Sequence, residues 1–233
     1  LRIMIFDILT IFPSIISGFL SEGLIAKARK ENLIDVGIWD LRDYAEPPDY
    51  QVDDRPFGGG PGMVMKPEPF YRGVDAIKAG RSGGRVILLT SRGELLEQSH
   101  LKRWAGGENM ILLCGRYEGV DERVVKICDE RISLGNFVLS GGEVPAAAII
   151  EGVSRMIEGV VGNSDSVETD SFYQTDLLGP PQYTRPREYR GMEVPEVLLS
   201  GNHEKIEDFR NREARKSTEE VRPDLMEGDR GNG

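Results

Sequence analysis

Gly141 and Gly142, in the run Ser140-Gly141-Gly142-Glu143, stand between an apolar triplet, Phe137-Val138-Leu139, and Pro145, placed where a first helical residue would sit. Glycine there lets the backbone turn tightly and approach a ligand closely, so that amides and carbonyls can read its polar edge. Gly115-Arg116-Tyr117-Glu118-Gly119-Val120-Asp121-Glu122-Arg123 and Ser91-Arg92-Gly93 repeat the pattern, each following an apolar run. A fourth loop, Asp53-Asp54-Arg55-Pro56-Phe57-Gly58-Gly59-Gly60-Pro61-Gly62, lacks the lysine and hydroxyl of a phosphate loop and the spacing of a dinucleotide fingerprint. That excludes nucleoside triphosphate and NAD chemistry at this loop. The plain alternatives are a glycine turn before a core helix and a flexible surface loop.

The elements that must hold these loops are legible in the apolar pattern. Ile3 to Leu9, Leu33 to Leu41, Arg85 to Thr90, Asn109 to Cys114 and Arg131 to Leu134 read as strands, three of them near-continuous apolar runs of the kind found in buried parallel sheets. Helices are predicted after Pro13, over Glu22 to Glu31, Glu68 to Ala79 and Leu95 to Trp104, and again on Ala146, Ile149, Ile150, Val153 and Ile157, a core stripe off which Arg155 lies. Open parallel sheets bind ligands at the carboxyl ends of their strands, so the ends after Leu89, Cys114 and Leu134 are expected to converge on one pocket. From Val160 to Thr175 small and acidic residues replace the apolar periodicity, which reads as a mobile interdomain linker containing Asp170. Beyond it come a basic and aromatic segment, Tyr183 to Arg190, and a helix from about His203 to Lys216 capped by Asn202, with an acidic tail after Ser217 expected to fray.

The chain is long enough to bury a core without staples. Cys114 and Cys128, the only cysteines, lack CxxC spacing; no structural metal site is expected, and a reducing, cytoplasmic setting is. The apolar run from Ile3 to Ile16 is broken by Asp7, Thr10 and Pro13, so no signal segment or membrane span is expected. A net charge of −10 argues against nucleic-acid binding by bulk electrostatics and leaves room only for a focused basic site.

Read in order, LTIFP, DDRPFGGGPGM, LLCGRYEGVDERV, LSGGEVPA, TDSF, YTRP, GMEVPEVLLSGNH and RPDL closely resemble the bacterial tRNA (guanine-N1)-methyltransferase family, of the SPOUT class, over nearly the whole chain. The resemblance implies an α/β fold with a parallel sheet and a deep trefoil knot in residues 1–160, a linker at 161–175 and a small helical tRNA-binding domain at 176–233. It also implies a homodimer with a shared active site. The implied activity is methylation of N1 of guanosine 37, just 3′ of the tRNA anticodon, with S-adenosyl-L-methionine as donor; a Mg2+ requirement is left open. Matching TDSF makes Asp170 the general base, against the plain alternative of a solvated linker aspartate. Arg155 matches the arginine that stabilises charge on guanine O6, against a surface pair with Glu151. Donor contacts fall on Leu88, Leu89, Thr90, Gly115, Tyr117, Glu118, Leu134, Gly135, Phe137, Leu139, Gly141, Gly142 and Pro145. tRNA contacts fall on Asp54, Arg55, Gly59, Arg116, Arg185 and Arg210. Three positions depart from the family pattern: Phe57 replaces a common tyrosine, Asn136-Phe137 a common Asp-Tyr, and Glu207-Asp208-Phe209 a usually basic stretch. A relative acting on another RNA, or a binding module without turnover, would not need both Asp170 and Arg155.

Overall fold

A computed structural model describes residues 2–81, 83–162, 170–173 and 175–227. The chain forms two compact units, Leu1–Gly162 and Asn163–Gly233. The first holds five parallel strands, β1 (Met4–Thr10), β2 (Ile34–Asp40), β5 (Arg85–Leu95), β6 (Met110–Cys114) and β7 (Glu130–Ser133), in the order β2-β1-β6-β5-β7. A two-residue ladder, β3 (Asp53–Asp54) with β4 (Val64–Met65), brackets the glycine-rich loop. Helices α1 (Pro13–Phe19), α2 (Gly23–Lys30), α3 (Pro67–Gly80), α4 (Gln98–Ala105) and α5 (Glu143–Ser154) complete the unit.

Alternation along the strands builds two cores, one on each sheet face, because successive strand side chains point to opposite sides. Phe6, Ile8, Ile87, Leu89, Leu112 and Cys114 pack with Ile16, Ile25, Trp104 and Ile149. Leu9, Val86, Leu88, Ile111 and Leu113 pack on the other side with Phe70, Val74 and Ile77 of α3. Both faces are covered, so β6 is apolar at every position.

Several boundaries in the first unit differ from those read in the sequence for local reasons. β5 does not stop at Thr90: after four unpaired residues, Glu94 and Leu95 pair again with Ile132 and Ser133 of β7. Gly93 makes the crossing possible, since a Cβ there would lie 2.5 Å from the Arg131 carbonyl carbon and the Ile132 nitrogen. Helix α4 therefore starts at Gln98, and the crossing is consistent with the knot that the resemblance implies. Helix α5 starts at Glu143, two residues before Pro145. Proline is tolerated in the first turn, where backbone N–H groups have no intrahelical acceptor.

In the second unit, a hairpin of β8 (Glu188–Tyr189) and β9 (Met192–Glu193) precedes α6 (Glu196–Leu199), α7 (His203–Val221) and α8 (Pro223–Glu227). The Asn202 side chain caps α7, accepting the Lys205 N–H at 3.1 Å. Instead of fraying after Ser217, α7 continues because Thr218 is fully buried. Its hydroxyl donates to the Ala214 carbonyl at 2.8 Å and accepts the Leu178 N–H at 2.9 Å. Of the linker expected at 161–175, residues 163–169 and 174 lie outside the described residues. Asp170 to Tyr173 form a turn: the Asp170 carbonyl accepts the Tyr173 N–H at 3.3 Å, and the Ser171 hydroxyl accepts the Gly179 N–H at 2.7 Å.

Candidate active site

Parallel pairing sets Leu89, after which β5 breaks its pairing, level with Cys114 at the end of β6 and Ile132 near the end of β7, so the break and the two strand ends lie side by side. The loops that leave them are tied together. Gly142 donates its N–H to the Gly115 carbonyl at 3.0 Å, and Arg116 forms an antiparallel bridge with Gly141. Between them lies a cavity of about 280 Å3. Twelve of the thirteen residues expected at the donor line it: Leu88, Leu89, Thr90, Gly115, Tyr117, Glu118, Leu134, Phe137, Leu139, Gly141, Gly142 and Pro145. Gly135 does not; its carbonyl accepts the Ser133 hydroxyl at 3.0 Å, and the Phe137 ring fills the space its Cβ would take. Ser91, Arg92, Gly119, Val120, Ile132, Ser133, Val138 and Ser140 also line the cavity, beyond the thirteen expected at the donor. Tyr117 holds a left-handed backbone, φ +60°, uncommon for a residue with a Cβ and concentrated at functional turns.

Directly beneath the cavity floor sits a charged network that the sequence reading missed. Glu143, at the first position of α5, is 1% exposed. One carboxylate oxygen accepts the Thr10 hydroxyl at 2.6 Å; the other accepts Arg116 Nε at 3.0 Å and Nη2 at 2.9 Å. A carboxylate at a helix N-terminus is favoured by the helix dipole. Burial, and then the Glu143 carboxylate, push the neighbouring Cys114 thiol well above its ordinary range. That keeps it protonated and inert at neutral pH.

The similarity of the whole chain to known proteins bears on what this cavity is for. The family model for tRNA (Guanine-1)-methyltransferase TrmD matches residues 4–228. The chain belongs to the TrmD family. It is 48% identical over 221 residues to the tRNA (guanine-N(1)-)-methyltransferase of Anaeromyxobacter sp. (strain K), covering 94% of this chain and 90% of that one. Identity to the Geobacter sulfurreducens protein of the same name is 48% over 224 residues, covering 96% and 91%. The crystal structure of tRNA (m1G37) methyltransferase from Aquifex aeolicus superposes with a TM-score of 0.79 at 43% identity, covering 99% of this chain and 98% of that one.

The remaining residues that the TrmD resemblance singles out are not all at the cavity. Arg155 is the C-cap of α5, the helix whose first turn abuts the floor, which puts it about 18 Å along the axis from Glu143. Asp170, in the second unit, lines a cavity of about 920 Å3 there with His203, Arg210, Arg212 and Arg215. Arg185 and Arg210 share a second cavity in that unit, about 450 Å3, with Tyr183 and Arg187. Asp54 and Arg55 are exposed beside the ladder of the first unit, the Asp54 carboxylate accepting the Arg55 N–H at 2.7 Å. Gly59 is exposed with φ +79°. Arg116 lines the first cavity, but its guanidinium is engaged by Glu143 and lies 4.7 Å from the centroid of the Phe12 ring.

Proposed function

We propose that this chain methylates N1 of guanosine 37 in tRNA, using S-adenosyl-L-methionine held at the strand-end cavity, as a cytoplasmic homodimer with a shared active site. The observation that carries the reading is the cavity itself. Leu88, Leu89, Ile132, Leu134 and Pro145 offer apolar faces for a heterocycle, the Gly115 and Gly141–Gly142 backbones offer polar edges, and Glu118 supplies a carboxylate toward a cationic ligand. The floor is packed so tightly that a Cβ at Gly142 would lie 2.8 Å from Cys114 Cα, so glycine keeps this side of the cavity shallow and its backbone available. These residues fit the donor. When bound, it supplies an electrophilic methyl group on a sulfonium and leaves as a neutral thioether.

The protein's work is then alignment and proton removal. Asp170 takes the N1 proton as the nitrogen lone pair attacks the methyl carbon. Arg155 offsets negative charge gathering on O6. With Arg155 at the far end of a helix that starts at the cavity floor, the arginine serving one cavity comes from a second chain. Exposed apolar residues on the cavity wall, Phe137, Val138 and Leu139, support a partner surface; Val138 is 86% exposed. Among the described residues no helix is long and apolar enough to cross a membrane, and no group of three or more His, Cys, Asp or Glu is arranged to hold a metal ion. Arg185 and Arg210, with Asp54, Arg55, Gly59 and Arg116, are the proposed tRNA contacts.

The test is methyl transfer from labelled donor to unmodified tRNA carrying or lacking guanosine at position 37. Transfer to both tRNAs, or to neither, would overturn the assignment. An EDTA arm of the same assay decides the Mg2+ requirement.

A further inference from the structure

The donor loops are held by something deeper than their own hydrogen bonds. Three segments distant in sequence meet at the Glu143 carboxylate: the end of β1 through Thr10, the loop after β6 through Arg116, and the start of α5. Thr10 is fully buried; its hydroxyl donates to Glu143 and accepts the Phe12 N–H at 2.9 Å. Glu143 and Thr10 lie behind the cavity lining, and of the three only Arg116 reaches it. Gly141 lies against this network: a Cβ there would overlap Arg116 and come within 2.5 Å of the Glu143 carboxylate. A buried ion pair is a poor way to gain stability, since apolar packing of the same volume does as well or better. What it supplies is one fixed geometry, because neither charge tolerates losing its partner.

We propose that Glu143 is a positioning residue for the methyl-donor cavity, clamping the Arg116 loop to the Gly141–Gly142 turn through its buried carboxylate, with Thr10 fixing that carboxylate from behind. The inference rests on the reading that this cavity takes S-adenosyl-L-methionine. In Glu143→Gln the amide that replaces one carboxylate oxygen loses the charge and, turned toward Arg116, sets donor against donor. Arg116 then leaves, and the two loops part.

The experiment is calorimetric titration of the full-length protein with S-adenosyl-L-methionine, without tRNA, alongside thermal melts and steady-state kinetics. Glu143→Gln is expected to raise the donor Kd about tenfold or more. KM for the donor should rise in parallel. The double variant Glu143→Gln with Arg116→Gln, a neutral pair that can hydrogen-bond, is expected to recover part of the lost affinity. Should Glu143→Gln fail to fold, Thr10→Val and Thr10→Ser decide: the serine keeps the hydroxyl and wild-type Kd, while the valine raises Kd about threefold or more. Folded Glu143→Gln and Thr10→Val proteins with lowered melting temperature but wild-type donor Kd would overturn the proposal, leaving the network purely structural. A wild-type chain that binds no donor would instead overturn the cavity assignment beneath it.

Discussion

Gly142→Ala separates a cavity built on packed strand ends from one formed by a pliant loop. The added Cβ would lie 2.8 Å from Cys114 Cα, 3.2 Å from Cys114 Cβ and 3.2 Å from Leu89 Cβ. Carbon atoms in good contact sit about 3.5–4.0 Å apart, so the nearest approach is short by roughly 0.7 Å or more. None of the three atoms is the free end of a flexible side chain; all belong to buried residues, Leu89 inside β5 and Cys114 at the end of β6. The turn must therefore lift, which stretches the Gly142 N–H to Gly115 carbonyl bond, now 3.0 Å. Overpacking of this kind costs about 1–3 kcal/mol, and a weakened hydrogen bond about 0.5–1.5 kcal/mol. Together that is about 1.5–4.5 kcal/mol, and for a chain of this size each kcal/mol lowers Tm by about 2–4 °C. Calorimetry should find a Tm loss of roughly 3–18 °C and weakened donor binding. Gly80→Ala, at the end of α3 with nothing within 4 Å of the new Cβ, is the control and should stay within about 0.5 kcal/mol of wild type. A Gly142→Ala protein that melts and binds donor like wild type would refute the packing argument.

Asp170→Asn is expected to slow methyl transfer in single-turnover assays by about a hundredfold or more while leaving donor affinity near wild type, since an amide cannot take the N1 proton; near-normal turnover would remove Asp170 from the mechanism. Co-expressed Asp170→Asn and Gly141→Val chains, each inactive as a homodimer, should regain activity in heterodimers; no recovery in heterodimers that bind both donor and tRNA would assign base and donor to one chain. Neither thiol should react with maleimide in the folded protein at pH 8, because Cys114 is fully buried at the end of β6 and partial burial pushes the Cys128 thiol to about 12; rapid stoichiometric labelling without denaturant would contradict that shielding.

The sheet and the cavity were legible in the sequence because their signals are local. Runs such as Met110 to Cys114 are apolar at every position, and the glycines after them mark where each chain turns. Twelve of the thirteen donor residues that the resemblance implies line the cavity where these loops meet. The thirteenth, Gly135, lies outside the lining because the Phe137 ring folds back over it, a contact no spacing rule contains. Glu143 was illegible for a sharper reason: a glutamate in a glycine turn before a helix reads as a solvated cap, and only tertiary structure brings Thr10, 133 residues away, to bury it. Thr218 is the same case in the second unit, a polar residue in an acidic tail that anchors a helix end by bonding Leu178.

The placement of Arg155 forces a choice that the sequence did not pose. A 12-residue helix is a rigid rod about 18 Å long. Its first turn carries Glu143 under the cavity and its C-cap is Arg155, so no side-chain rotation brings that guanidinium to the cavity in the same chain. Either Arg155 has no part in methyl transfer, or it acts on the cavity of another copy. The exposed apolar wall at Phe137 to Leu139 favours the second, since such a surface needs a cover. A twofold dimer buries the same patch on both chains, so each arginine given to the partner's cavity is matched by one received. The heterodimer experiment above then discriminates further when Arg155→Ala replaces Asp170→Asn. If both Arg155 and Asp170 reach across the dimer, an Arg155→Ala chain mixed with a Gly141→Val chain regains activity. A chain carrying both Arg155→Ala and Gly141→Val, mixed with wild type, keeps one intact site only if both residues serve the cavity of their own chain; with cross-subunit action, its defects fall on both sites and activity in the heterodimer is lost.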